Sequence, residues 1–247
     1  MKKQDLLNVM ENVKLNDISE KRIMNKVMNY EKKENRTMSK KKICLIAAAA
    51  VLVMGFSVYA GSGIVSSWHS GSSSKPDYKQ LPTEEQCIED IGYAPVLIEE
   101  FENGYEFSGG HIVSNSLNDD NNNAIEKFKS ISAEYSKDDD EVILSAMKYE
   151  TKQPQEGDII GSFNGCDLYY INYTNKLVPP GYEMTEEDKK AQETGEIVFS
   201  VGSNEVNISE VQGLSWEDDG IHYNLTQIDG ALDKDELVEM AEEIIEK

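Results

Sequence analysis

The chain has 247 residues, with 24 Lys/Arg against 46 Asp/Glu, a formal net charge of -22 and a 39% hydrophobic content. That length accommodates one or two domains, and three cysteines are too few for a disulfide scaffold. The charge is very unevenly spread: residues 1–42 carry twelve Lys/Arg against six Asp/Glu, residues 43–60 carry no charge, and residues 61–247 carry twelve against forty. A region at -28 repels phosphates, which excludes direct nucleic-acid binding by it.

In chain order, the first signal is helical. Leu6, Leu7, Met10 and Val13 share one stripe, and after a break at Asn16-Asp17 a second stripe follows through Ile18, Ile23, Met24, Val27, Met28 and Tyr30. Two such short amphipathic helices make too small a core to stand alone, so the stripe requires a partner. Leu6, Leu7, Met10, Val13, Ile23 and Val27 are the candidate partner-binding residues. A cytoplasmic protein, a second copy or an anionic membrane surface could cover them.

Residues 43–60, ICLIAAAAVLVMGFSVYA, form an uncharged run. As a helix it reaches ~27 Å, close to the roughly 30 Å of a bilayer's hydrocarbon, and it reads as a single transmembrane helix. Lys40, Lys41 and Lys42 abut it, which puts the N-terminus in the cytoplasm and the acidic part outside the cell membrane. Val58-Tyr59-Ala60 also fits a signal-peptide cleavage site, but the preceding region is too long for a secretory signal. Cys44 sits at the start of the run, where it does not suit lipoprotein processing. Cys87 and Cys166 lie outside, where a disulfide is chemically permitted but cannot be read from sequence.

Residues 61–79 are rich in Gly and Ser and read as a flexible linker, with an extracytoplasmic α+β domain over 80–247. Thr83 with Gln86 forms a capping box for a helix over 84–91, which Gly92 ends. Residues 96–101 and 105–107, joined by Asn103-Gly104, read as a hairpin. Strands are expected at about 110–117, 124–136, 141–149, 158–163 and 166–174. A helix over 185–193 is capped from Thr185, and strands resume at 196–201, 205–216 and 221–228, the last two joined through Asp218-Asp219-Gly220. Asp233 and Glu236 box a final helix whose Leu237, Met240, Ala241, Ile244 and Ile245 form an apolar stripe. The fold class is therefore α+β: a single N-terminal transmembrane helix, then a curved antiparallel sheet packed with a C-terminal helix and short extra helices.

No reaction is legible in the sequence. His69, His111 and His222 sit in no metal or nucleophile motif, and the run from Asn118 fails a calcium loop because Asn123 and Lys129 stand where Gly and Glu are needed. No catalytic, cofactor-binding or metal residue is assigned, and no cofactor is expected. Tyr170, Trp216 and Tyr223 come from neighbouring predicted strands and could line a groove, although cross-strand core pairing explains them equally well.

The segment 214–225 (LSWEDDGIHYNL), followed by Leu232, Glu236, Leu237, Ala241 and Ile244, resembles the ending of a domain of unknown function found outside the membrane in single-pass proteins of Gram-positive anaerobes. Residues 82–83 and 101–107 resemble its N-terminal half, and the similarity spans about 80–246. Proteins of this layout resemble membrane-bound anti-sigma factors, some of whose outer domains are similar to lipoprotein-carrier folds. The resemblance implies a non-enzymatic regulator or sensor with an extracytoplasmic ligand and a cytoplasmic sigma factor or other regulatory protein as partner. The cytoplasmic piece departs from the pattern in lacking a zinc-binding His/Cys motif. The alternative is an extracytoplasmic binding or structural module anchored to the bilayer without a signalling role.

Overall fold

The computed structural model describes residues 65, 67–119, 121, 123–151, 155, 157–179, 181–194, 197–201 and 203–247. The stripe residues Leu6, Leu7, Met10, Val13, Ile23 and Val27 and the apolar run 43–60 lie outside the described residues. No helix among the described residues is long and apolar enough to cross a membrane.

Nine strands and three helices are formed by the described residues: β1 Ser67–Ser72, α1 Glu84–Ile91, β2 Glu106–Asn118, β3 Ala124–Lys137, β4 Asp140–Met147, β5 Asp158–Phe163, β6 Cys166–Val178, α2 Glu186–Glu193, β7 Ile197–Val201, β8 Asn207–Asp218, β9 Ile221–Ile228 and α3 Lys234–Ile245. The architecture is mostly sheet, curled as a half-barrel, in the order β1-β2-β3-β4-β9-β8-β6-β5, with β7 pairing β6. Two compact units are distinguished, Lys176–Asn207 and the larger unit that contains the described part of Ala49–Asn175 with Ile208–Lys247.

The helix signals act as local chemistry dictates. Thr83 accepts from the Gln86 backbone N–H while the Gln86 side chain accepts from Thr83, and Gly92 takes the left-handed φ of 92° that closes α1. Asp233 and Glu236 make the same reciprocal box at α3, and its Leu237, Met240, Ala241 and Ile244 are buried. They join Leu144, Leu214, Trp216 and Leu225 in one core. Each fully buried Leu, Met or Ile there contributes roughly 1.5–3 kcal/mol. Between β8 and β9, Asp219 and Gly220 both adopt positive φ, 48° and 70°, as a two-residue hairpin turn requires.

Two sequence expectations need correction. Residues 67–72, expected in the flexible linker, are an edge strand paired to β2 from Ser67↔Asn118 to Ser72↔Val113. Trp68 anchors it: the indole Nε1 donates to Asn115 Oδ1 at 3.1 Å, and its ring meets Phe128 and Tyr149 edge-on at 5.7 and 5.5 Å. Ladder bonds and one aromatic anchor thus outweigh a Gly/Ser composition. The folded domain accordingly begins ahead of residue 80. Tyr78 is also part of it, bridging Gly110 with bonds of 3.0 and 2.9 Å. Gly110 permits that approach, since a Cβ there would lie 3.3 Å from the Tyr78 ring.

The expected hairpin over 96–107 forms only next to its turn, where the Phe101 N–H donates to Tyr105 at 2.9 Å and the Phe107 N–H to Glu99 at 2.8 Å. Gly104 has φ 85° and its N–H donates to Phe101 at 2.8 Å, but residues 96–101 are not a strand and only Glu100↔Glu106 is bridged. The Val96 N–H donates instead to the Tyr223 hydroxyl at 3.0 Å, and Ile98 and Phe101 drop into the core. Over residues 96–98 these contacts replace ladder pairing. Of the two readings open for the cysteines, the structure has the free one: Cys87 and Cys166 are both buried and unpaired with each other, with burial pushing each thiol pKa up. They behave as small core hydrophobes.

Candidate functional site

The sheet's alternation separates two faces with different chemistry. One cross-strand row of the larger unit runs Ile112↔Ile131↔Ala146↔Tyr223↔Trp216. Its last four members are 0–2% exposed and lie against the helix-covered core. The next row, one residue along each strand, points the other way: His111↔Ser132↔Ser145↔Asn224↔Ser215. All five of these residues stay half-buried. A band of small hydroxyl and amide side chains therefore crosses five strands on the face opposite the core.

Flanking residues add to this band. At its β2 end His111 Nε2 lies 3.2 Å from Glu134 Oε1, and among the described residues the buried His111 Nδ1 has no hydrogen-bond partner. Toward β1 an aromatic group forms, in which Trp68, Phe128 and Tyr149 meet one another at ring separations of 5.2–5.7 Å. His222 stacks on Tyr149 at 4.4 Å and 13°. Burial pushes the Tyr149 hydroxyl up to about 12. These groups offer hydrogen bonds and ring faces.

His222 provides a pH handle on this face. Its Nδ1 lies 3.3 Å from Gln155 Nε2 and 3.6 Å from Glu217 Oε2. Burial lowers its pKa from the usual 6.5, with the Glu217 charge pulling the other way. The folded state thus binds this proton less readily than the unfolded chain, so stability is full above about pH 6.5 and declines as pH falls through it. His222→Gln is expected to flatten the fall in urea midpoint between about pH 7 and 5. An unchanged slope would assign the pH dependence to other groups.

The residues expected to line a groove do not do so together. Trp216 and Tyr223 are 0% and 2% exposed and stack in the core at 5.2 Å and 9°, because the alternation of β8 and β9 turns both inward. Tyr170 is half-buried against that same core and donates to Gln212 Oε1 at 3.0 Å. The polar band was missed because Ser132, Ser145 and Ser215 carry no motif; only their registration across strands assembles them. Alternation of small polar with apolar residues in β3, β4 and β9 was the available signal.

In the smaller unit Asp188 is a structural hub. Lys176 Nζ lies 2.6 Å from its Oδ1, Tyr182 donates to Oδ2 at 2.7 Å, and the Thr185 N–H donates at 3.0 Å. The Lys176 ammonium, then Tyr182, hold the Asp188 carboxyl well below the usual carboxylate range. The residue is thereby committed to capping α2. Among the described residues no group of three or more His, Cys, Asp or Glu is placed to hold a metal ion. No family model, no curated protein and no solved structure matches the chain.

Proposed function

We propose that the chain is a membrane-anchored, non-enzymatic sensor or regulator of the anti-sigma-factor type, whose outer domain takes an extracytoplasmic ligand on its polar sheet face. The observation that carries this reading is the half-buried His111, Ser132, Ser145, Asn224 and Ser215 band lying back to back with a core row of which Ile131, Ala146, Tyr223 and Trp216 are buried. A sheet stabilised on one face leaves the other free for recognition. The uncharged run 43–60 supplies the anchor, and the stripe of Leu6, Leu7, Met10, Val13, Ile23 and Val27 supplies the cytoplasmic contact.

The test uses the full chain in cells. Deleting it is expected to change transcription from one sigma-dependent set of promoters, and exchanging the six stripe residues for Ser is expected to reproduce that change while the protein stays in the membrane fraction. No transcriptional change in either strain would reject the regulator and favour an anchored binding or structural module.

A further inference from the structure

A second feature of the larger unit runs against its charge. Residues 61–247 hold twelve Lys/Arg among forty acids, yet Lys127, Lys129 and Lys148 line one cleft of about 550 Å³ that has no acid in its wall. Ile91 and Tyr93 form its apolar side, and Ser114 adds a hydroxyl. The lysines are brought together by the sheet. Lys127 and Lys129 are two apart on β3 and so share a face. Continuing the β3–β4 register beyond Ser130↔Met147 sets Lys148 opposite Lys129. Like charges directly across a ladder oppose folding.

Lys129 donates to the Asp90 carbonyl at 2.7 Å, while the Lys127 and Lys148 ammonium groups make no hydrogen bond or ion pair among the described residues. Two acids adjoining these lysines along the chain or through a bond, Asp90 and Glu126, are engaged by other donors. Asp90 Oδ2 accepts from the Tyr78 hydroxyl at 2.5 Å, and Glu126 accepts from the backbone N–H groups of Glu150 and Thr151 and from the Thr151 hydroxyl. A cleft lined by three lysines, a hydroxyl and an apolar wall suits a phosphate ester that carries an apolar portion.

Chain connectivity indicates the source of that phosphate. Lys127 pairs with Ser116, which pairs with His69 of β1. Six residues lie between the end of the expected span at Ala60 and Ser67, where β1 starts, so the seven steps from one to the other reach about 25 Å at full extension. We infer that the lysine cleft binds the phosphate of an anionic lipid headgroup in the outer leaflet, docking an otherwise repelled acidic domain onto the bilayer. This rests on the anchored topology proposed above.

The test measures amine labelling of Lys127, Lys129 and Lys148 by mass spectrometry, using the full chain in lipid discs. Discs containing phosphatidylglycerol are expected to slow labelling at all three by about fivefold relative to pure phosphatidylcholine, and Lys127→Gln with Lys148→Gln is expected to restore fast labelling at Lys129. Lys137, a lysine outside the cleft, should be unaffected. Equal labelling in both discs, or slowing that survives the double substitution, overturns the inference. Protection by soluble glycerol 3-phosphate in phosphatidylcholine discs, with none from phosphatidylglycerol, keeps the phosphate chemistry and overturns the lipid source. A chain that does not co-fractionate with discs overturns the anchored topology instead, and glycerol 3-phosphate alone then tests the cleft.

Discussion

Trp216→Ala is expected to lower the unfolding free energy by about 3–5 kcal/mol, read as a shift of the urea midpoint at unchanged slope. Trp216 is 0% exposed, stacks on Tyr223 at 5.2 Å, and ends the core row that begins at Ile112. Removing the indole leaves a cavity between β8, β9 and the core that rigid ladder bonds prevent from closing. Trp216→Phe should cost much less, roughly 1–2 kcal/mol, because it keeps most of the ring contact and removes a buried Nε1 that has no hydrogen-bond partner. An alanine variant within about 1 kcal/mol of the parent would mean the residue is not core.

Asp140→Ala should cost about 3 kcal/mol, through hydrogen bonding rather than packing. One oxygen, Asp140 Oδ2, accepts from the Tyr105 hydroxyl at 2.7 Å, Gln227 Nε2 at 3.1 Å and the Ala231 N–H at 2.8 Å. Gln227 is 1% exposed, and its Oε1 in turn accepts from the Leu232 N–H at 3.1 Å and Gln212 Nε2 at 3.0 Å. Removing the carboxylate strands three donors and loosens the connection that feeds α3. Asp140→Asn keeps one acceptor and should lose less. Faster hydrogen exchange at Ala231 and Leu232 in the alanine variant would locate the damage; unchanged exchange there would contradict the network.

Local chemistry made much of the outer domain legible beforehand. Thr83–Gln86, Thr185–Asp188 and Asp233–Glu236 each specify a helix start within four residues, and the Asp219-Gly220 turn fixes its hairpin by φ alone. Features set by distant partners were not legible. Ser67–Ser72 has linker composition and becomes a strand because β2 offers an edge and Asn115 a hydrogen bond to Trp68. Residues 96–101 look like a strand, yet their apolar side chains are claimed by the core and one of their N–H groups by Tyr223. The candidate groove failed for a related reason. Aromatic identity left Trp216 and Tyr223 open to a groove or to cross-strand core pairing; which face a strand residue occupies depends on register, and register sends both inward and Ser215 and Asn224 outward.

The division of the sheet into a structural and a recognition face is tested most directly by exchanging neighbours. Ser145→Arg and Asn224→Arg alter the polar band, whereas Ala146→Arg and Leu225→Arg, one residue along, alter buried positions at 0% exposure. Each pair is measured by urea denaturation of the full chain and by sigma-dependent transcription in cells. The polar-face pair is expected to stay within about 0.5 kcal/mol of the parent while changing the transcriptional output, and the core pair to unfold the domain. Equal destabilisation by both pairs, or a polar-face pair that leaves stability and transcription both unchanged, would contradict the two-faced account.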